Sequence, residues 1–294
     1  MSKKNSYEKL NKRFDKLQEK AQMMAKLFGI IDENVDDFEG ETLSQSEKAK
    51  LEKAQDIAYQ GSKLSKVADR IRMAKKVLTI SPHCADAYCI MANAEESIPE
   101  RAELFQKAMA IERRLLGEES FDLDFGFENT SASQSYVAYR QGYVKCLWSL
   151  NKYEDAIDNC KELMMLDGMD LANTRYLLLY YLLYLEKYDE CAKLLNKSDY
   201  KIDDGTFWIY TRALIAFIQF GESSKSNKAL KKAIKDSEFA IYYLTGAKPF
   251  PKIMPKQYSY FDNDEGLIYA AQFLPCWQKV PGAIEWIKKQ SKAK

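Results

Sequence analysis

The sequence contains only one histidine, His83, among its 294 residues. Any Ser–His or Cys–His nucleophile, and any histidine-rich metal site, would have to use this side chain. Six cysteines are present, but none forms a CxxC pair, so the paired ligands typical of structural zinc are missing. The phosphate-binding and zinc-protease motifs GxGxxG, GxxxxGK[ST] and HExxH are also lacking. The sequence therefore predicts a non-enzyme with no catalytic residues, no metal and no cofactor.

Long apolar runs are lacking as well, and the first residues, MSKKNSYEKL, contain no apolar signal core. We therefore expect no membrane span and no secretory signal. The net charge is +1, from 44 basic and 43 acidic side chains, which argues against a protein that mainly neutralises phosphates. Unpaired, buried thiols and a cytoplasmic location are the corresponding expectations.

Glycine and proline are scarce, at 12 and 7 residues, and strand-like alternation is almost absent, so helical periodicity dominates. The segment that runs from Leu150 through Tyr153 to Ala156 (LNKYEDA) matches in character the segment from Leu185 to Cys191 (LEKYDEC). The two segments are 35 residues apart, and a period near 34 residues is typical of tetratricopeptide repeats. The predicted fold is all-α: a tetratricopeptide-like helical-repeat superhelix of about five helix pairs.

The predicted organisation has three parts. Residues 1–46 form a basic amphipathic helix and an acidic linker, residues 47–245 form the repeats, and residues 246–294 form a proline-rich loop and capping helices. The predicted helices span 51–64, 67–80, 85–92, 99–111, 208–220, 229–241, 264–273 and 281–290, with helix pairs over 137–168 and 172–198.

Two acidic segments interrupt this pattern. Residues 29–47 hold seven acidic and no basic side chains, and residues 118–128 form the second acidic segment. Such segments suit a basic protein partner through charge complementarity. The two long irregular segments, 117–136 and 246–262, are candidates for function, or else ordered spacers whose phenylalanines fill the core.

Several short motifs occur in the order found in one branch of the tetratricopeptide proteins. They are Ile80-Ser-Pro82-His-Cys84-Ala-Asp86-Ala-Tyr88, the stretch from Ala108 to Leu116-Gly117, Phe121, Phe125-Gly126-Phe127, Tyr139-Arg140, Leu147-Trp148, Arg175-Tyr176, Trp208 with Tyr210, and Pro281-Gly-Ala283-Ile-Glu-Trp286. Over roughly residues 70–290 the chain resembles the suppressor-of-tumorigenicity-7-like (ST7-like) repeat proteins. The resemblance implies a helical scaffold and supplies no catalytic residues.

A narrower resemblance is to the MesI-type metaeffectors of intracellular bacterial pathogens, which are helical-repeat proteins of similar size. This resemblance implies a non-catalytic antidote that binds and restrains a second bacterial effector. It also implies export into a host cell cytosol as an alternative to a purely cytoplasmic location.

In tetratricopeptide arrays the first helix of each pair faces a concave groove, and counting along these helices selects the candidate partner-binding residues. They are Tyr59, Asn93, Gln141, Lys145, Trp148, Asn173, Tyr176, Tyr180, Tyr184 and Trp208. Tyrosine and tryptophan dominate binding hot spots. Residues 176–185 are apolar all round, however, so core packing is the competing explanation for these tyrosines.

The predicted function is a non-catalytic scaffold that binds a protein partner and restrains its activity. Two alternatives remain: an RNA-binding helical repeat that stacks bases on its tyrosines, and a cryptic carboxylate-dependent hydrolase.

Overall fold

The structure is a computed structural model that describes residues 43–121, 127, 130–168, 170, 172–197, 203–255 and 257–291. The amphipathic helix predicted near the start of residues 1–46 lies outside these residues, as does most of the predicted acidic linker. The chain divides into two compact units, Met1–Leu115 and Leu116–Lys294.

The first unit contains two helix pairs. They are α1 (Gln45–Ser62), α2 (Val67–Ile80), α3 (Ala85–Ala92) and α4 (Ile98–Leu116), the last of which reaches the boundary between the units. Helix α1 begins with a capping box in which Ser44 and Glu47 satisfy each other's free backbone N–H groups. Small residues, among them Ala54, Ala58 and Ala74, are fully buried and allow the helices to approach closely.

The second unit begins with two further pairs that carry the repeated segment. They are α5 (Ser131–Ser149) with α6 (Tyr153–Leu166), and α7 (Thr174–Tyr184) with α8 (Tyr188–Leu195). In the first turn Asn151 has a φ of 60°, and in the second Glu186, 35 residues later, has a φ of 58°. Lys152 N–H donates to the Leu147 carbonyl at 2.9 Å, and the same bond recurs 35 residues later between Lys187 and Leu182. Both turns are therefore the same helix-ending motif.

The fifth pair consists of α9 (Thr206–Phe220) and α10 (Ser224–Asp236), followed by a short helix α11 (Ala240–Leu244). The prediction of one helix over 229–241 is wrong at both ends. Ser223 forms a capping box with Ser226, so only three residues separate the end of α9 from the start of α10. Ser237 ends the helix, because its backbone is extended and its carbonyl accepts the Tyr210 hydroxyl at 2.7 Å.

The last two described helices are α12 (Asn263–Lys279) and α13 (Ala283–Ser291). Helix α12 is longer than the predicted 264–273 because it continues through Pro275 to Lys279. Asp262 caps its first turn by accepting from the Glu265 N–H at 2.7 Å. Helix α12 packs against α7, α9 and α11, and α13 packs against α10, α11 and α12.

Residues 43–291, as far as they are described, thus contain thirteen α-helices and one 3-10 helix (Glu118–Phe121), and no strand. The five pairs α1–α2, α3–α4, α5–α6, α7–α8 and α9–α10 confirm the predicted all-α, tetratricopeptide-like repeat, and α12 and α13 supply the predicted helical cap.

Candidate functional site

Trp148, in the last turn of α5, lies at the centre of an aromatic cluster. Its indole stacks on the Tyr181 ring with centroids 3.8 Å apart and an interplanar angle of 7°. The rings of Tyr153, Tyr184 and Tyr180 lie 4.6, 5.3 and 5.9 Å away. Tyr153 is the aromatic residue of the repeated segment, so the repeat itself places this ring at the turn. The cluster holds Trp148 half-buried with its orientation fixed.

Tyr180 and Tyr184 share one face of α7, with ring centroids 5.9 Å apart, and both are half-buried. Burial, with smaller effects from Cys276 and Tyr184, raises the pKa of Tyr180 to about 12, so its hydroxyl is neutral and can donate. Lys279 of α12 places its ammonium 4.0 Å from the Tyr184 ring and donates to the Tyr184 carbonyl at 2.6 Å. Because both tyrosines are only half-buried, part of each side chain stays in contact with water.

Helix α12 covers much of the groove that the sequence predicted. It packs against α7 and α9, which are the first helices of their pairs and would line the groove. Phe273 of α12 is fully buried, and its ring lies 5.5 Å from Tyr180 and 5.8 Å from Phe207. The chain therefore occupies part of this face with its own helix.

Tyr176 and Trp208 lie in the interior, where the Tyr176 ring packs against residues of α9. Their exposed fractions are 8% and 0%, although the sequence placed both on an open groove. The Tyr176 ring stacks 5.2 Å from Phe207, and Trp208 belongs to the same fully buried layer. Neither residue has the surface that a partner contact requires, so the surface proposed below omits both.

Arg175 joins two carboxylates in a nearly buried ion cluster. Its guanidinium contacts Asp170 at 2.7 Å and Asp203 at 2.8 Å, and it donates to the Tyr176 hydroxyl at 3.1 Å. Asp203 also accepts from the Gly205 N–H at 2.9 Å. The hydrolase alternative needs two carboxylates that converge on an open pocket. This pair converges on a guanidinium and ties the start of α7 to the segment before α9.

The remaining predicted residues of the second unit have different environments. Gln141 donates to the Ala172 carbonyl and to the Thr174 hydroxyl, both at 2.9 Å, and so fixes the start of α7. Asn173 precedes α7 with a φ of 56° and is half-buried. Lys145 is exposed on α5. Three of the predicted residues, Trp148, Tyr180 and Tyr184, come together in the aromatic cluster described above.

Tyr59 and Asn93 belong to the first unit, apart from the other eight predicted residues. Tyr59 is 64% exposed, and the Lys63 ammonium lies 3.7 Å from its ring centroid. Lys63, through a side-chain hydrogen bond, lowers the pKa of the Tyr59 hydroxyl. Asn93 is exposed and donates to the Cys89 sulfur at 3.4 Å.

The proline-rich segment (residues 246–262) exposes apolar side chains that were not among the predicted partner-binding residues. Of the twelve large hydrophobic residues exposed in the described part of the chain, six lie in this segment. They are Phe250, Ile253, Met254, Tyr258, Tyr260 and Phe261, with Ile253 the most exposed at 87%. One sequence feature could have indicated this exposed surface. It is a run of apolar residues among prolines that matches neither helical nor strand periodicity. These side chains do not fill the core, in contrast to Phe121 and Phe127, which pack on Tyr136.

Both ends of the proline-rich segment are fastened to the helices. At the first end, Phe250 stacks on Tyr243 at 5.7 Å, and Lys248 donates to Asn263 at 2.6 Å. At the second end, the Phe261 N–H donates to the Glu265 carboxylate at 2.6 Å.

Glu265 is itself buried and accepts the Thr206 hydroxyl of α9 at 2.6 Å. Burial is the main cause of the raised pKa of Glu265, whereas the hydrogen bond from Thr206 acts in the opposite direction. Glu265 thus links the proline-rich segment to α9.

The cysteine thiols and the His83 imidazole are the reactive side chains of the described residues, and their surroundings are typical of structural residues. Burial raises the pKa of the Cys84 and Cys89 thiols to about 11 and of Cys160 and Cys276 to about 12. All six cysteines are free thiols. His83 Nδ1 lies 3.3 Å from an Arg114 nitrogen.

Within the described ranges no three His, Cys, Asp or Glu side chains are grouped as metal ligands. None of the helices described is both long and apolar enough to cross a bilayer.

Two comparisons show likenesses of limited extent. Protein ST7 homolog from Drosophila pseudoobscura pseudoobscura is 25% identical over 252 residues, which cover 73% of this chain and 44% of the relative. The chain thus matches less than half the length of this curated relative. Among solved structures, YrrB, described as a TPR protein with an unusual peptide-binding site, is similar with a TM-score of 0.45 and 17% identity. That match covers 65% of this chain and 92% of YrrB.

A family model described as ST7 protein matches residues 23–292. The match includes all of the described helices, together with the order of motifs that suggested the resemblance. The chain belongs to the ST7 protein family.

Proposed function

We propose that the chain is a non-catalytic helical-repeat scaffold that binds a protein partner and restrains its activity. The observation that carries this proposal is the exposed apolar surface of the proline-rich segment. A bacterial effector is the partner class that the MesI-type resemblance suggests, and an antidote-like role is the corresponding form of restraint.

The exposure of Ile253 and Tyr260 is the first argument. Their exposed fractions are 87% and 58%, and they lie within twelve residues of chain that expose four further large apolar side chains. Single exposed apolar residues are common on proteins, but grouped ones typically mark interaction sites. The proline-rich segment therefore has the surface chemistry of a binding site rather than of a solvated loop.

The fastening of this segment is the second argument. An ordered loop loses less conformational entropy on binding than a free one, so more of the contact energy appears as affinity. Phe250 and Tyr258 anchor the segment on the rings of Tyr243 and Phe207, at 5.7 and 6.0 Å. The exposed side chains between these anchors are thus presented from a fixed base.

The accessible part of the groove extends the proposed surface. A continuous series of ring contacts runs from Tyr258 through Phe207, Phe273 and Tyr180 to Trp148. At its far end Trp148, Tyr180 and Tyr184 are half-buried, and Lys145 is exposed nearby on α5. We include these four residues in the proposed partner-binding surface. A scaffold that restrains its partner through surface contact, without a deep pocket, needs an interface that buries roughly 800 Å² on each protein.

Affinity capture with paired variants tests this proposal. The bait is the whole chain, and the prey is a lysate of the source organism at low and moderate salt. We expect one stoichiometric, salt-resistant protein, and we expect the double variant Ile253→Asp with Tyr260→Asp to retain roughly 30-fold less of it. Val67→Asp is the matched control, because Val67 is a 46% exposed apolar residue outside the proline-rich segment.

The captured protein is then purified, and its activity is measured with and without an excess of the chain. We expect inhibition by the wild type and not by the double variant. Equal capture by the wild type and the double variant would contradict the proposed surface. Undiminished partner activity at saturation would contradict the proposed restraint.

A further inference from the structure

Helix α10 has the largest positive charge of the described helices. Five lysines and one aspartate in its 13 residues give a net charge of +4, in a chain whose total is +1. At 100° per residue, the lysines all fall within one third of the helix circumference. They are Lys225, Lys228, Lys231, Lys232 and Lys235, and all five are exposed. The opposite face buries Leu230, Ala233 and Ile234. We call this set of five side chains the lysine face.

Most of the lysine face is not neutralised. Lys232 pairs with Asp236 on the same helix. The neighbouring Glu222 is already bound by Lys289 of α13 at 2.8 Å. Lys228, Lys231 and Lys235 have no acidic partner among the residues that the structure describes. Lysines held close together on one helix repel one another, and an external anion relieves that repulsion.

A shallow depression on this face is rich in hydrogen-bond donors. It is lined by Ser224, Asn227, Lys228 and Lys231. The Asn227 side-chain oxygen accepts the Trp286 indole N–H at 2.7 Å, which leaves the amide NH₂ as its remaining polar group. Ser224 is the first residue of α10, where the helix dipole is positive. Two ammonium groups, an amide and a hydroxyl thus surround a space that suits a carboxylate.

We propose that the lysine face binds an acidic segment of a protein partner, with one Asp or Glu carboxylate seated between Lys228 and Lys231. Two features favour this occupant over other polyanions. Sites for single-stranded nucleic acid combine lysines with stacking aromatics, whereas α10 contains no aromatic residue and the neighbouring Phe220 ring already lies 4.3 Å from the Lys225 ammonium. Amphipathic helices that lie on membranes insert their apolar face, whereas the apolar face of α10 is buried in the protein.

This inference adds a second surface to the protein-binding role proposed above, and it rests on that role only for the existence of a partner. The proline-rich segment is apolar and the lysine face is cationic, so a partner that meets both needs an apolar patch and an acidic segment. The acidic segments 29–47 and 118–128 of this chain still favour a basic region on a partner, but residues 29–42, 122–126 and 128 lie outside the described part of the chain.

Fluorescence anisotropy with a labelled deca-glutamate peptide tests the inference on the full-length chain. We expect saturable binding at 50 mM salt that weakens steadily towards 300 mM. The double reversal Lys228→Glu with Lys231→Glu should weaken binding about tenfold or more, since two attractions become repulsions. Lys75→Glu with Lys76→Glu is the matched control, because these exposed lysines of α2 give the same change of net charge. The control should change binding less than twofold.

Three outcomes would overturn the inference: no binding of the peptide by the wild type, equal losses in both double variants, or tighter lysine-dependent binding of phosphatidylserine vesicles or of mixed RNA. The variant Ile253→Asp should leave peptide binding unchanged. A failure of the lysine face is therefore distinguishable from a failure of the proline-rich segment.

Discussion

The ionisation of Glu112 should destabilise the first unit at neutral pH. Glu112 lies on α4 and is only 5% exposed. Burial, followed by the negative charge of Asp86, raises its pKa from 4.5 to about 7. The folded protein therefore holds the proton more tightly than the unfolded chain does. Stability then falls as the pH rises from the unfolded pKa towards the folded pKa, and it is constant outside that interval.

The magnitude follows from the pKa difference. A shift of about 2.5 units, at 1.36 kcal/mol per unit, makes the wild type lose about 3 kcal/mol of unfolding free energy between pH 4 and pH 8. The variant Glu112→Gln has nearly the same volume and no charge, so it should not show this loss. At pH 8 the variant should be the more stable protein, and near pH 4 the two should be similar.

Urea unfolding at a series of pH values measures this difference. Far-UV circular dichroism reports on the helices of both units, whereas tryptophan fluorescence reports on the second unit, since all four tryptophans lie between Trp148 and Trp286. Other titrating groups are shared by the two proteins, so they cancel in the difference. A difference between wild type and Glu112→Gln that stays constant within about 0.5 kcal/mol from pH 4 to pH 8 would refute the reasoning.

Four further substitutions test the packing of the second unit by chemical denaturation. A Cβ on Gly266 would lie 2.7 Å from the Ala240 backbone nitrogen, so Gly266→Ala should destabilise by about 1–3 kcal/mol. Gly168→Ala meets no atom within 4 Å and should change stability by less than about 0.5 kcal/mol, so equal effects at these two positions would contradict the packing of α12. Arg175→Met leaves the buried Asp170 without its cation and should cost about 3–5 kcal/mol, and a loss below 1 kcal/mol would contradict the ion cluster. Phe273→Ala removes a fully buried ring and should cost about 3–5 kcal/mol, and a near-neutral effect would show that α12 does not fill the groove.

The helical repeat was predictable from the sequence because its signals are local. Apolar periodicity placed a helix over 67–80, and α2 has these bounds. The offset of 35 residues identified turns that share the same backbone hydrogen bonds. The start of α10 was missed because apolar periodicity begins at Ala229, whereas the helix begins after the polar cap Ser223. Capping residues are a better guide to a helix start than its first apolar residue.

The candidate site was less predictable because burial depends on distant parts of the chain. Tyr176 and Tyr180 lie four residues apart on one helix, yet the first is buried against Phe207 and the second stays partly accessible. The contact between Lys279 and Tyr184 joins residues 95 positions apart, and no local pattern announces it. The prolines of the segment 246–262 predicted an irregular backbone. They did not indicate that Ile253 and its neighbours are exposed to solvent.

Hydroxyl-radical footprinting of the purified complex shows whether the partner covers the proline-rich segment. Tyr260 and Tyr59 are 58% and 64% exposed, and they belong to different units, so each reports on its own surface. We expect partner binding to slow the oxidation of Tyr260 and Ile253 several-fold. Unchanged oxidation of both residues in a saturated complex, with protection of Tyr59 instead, would contradict the assignment of the proline-rich segment as the partner-binding surface.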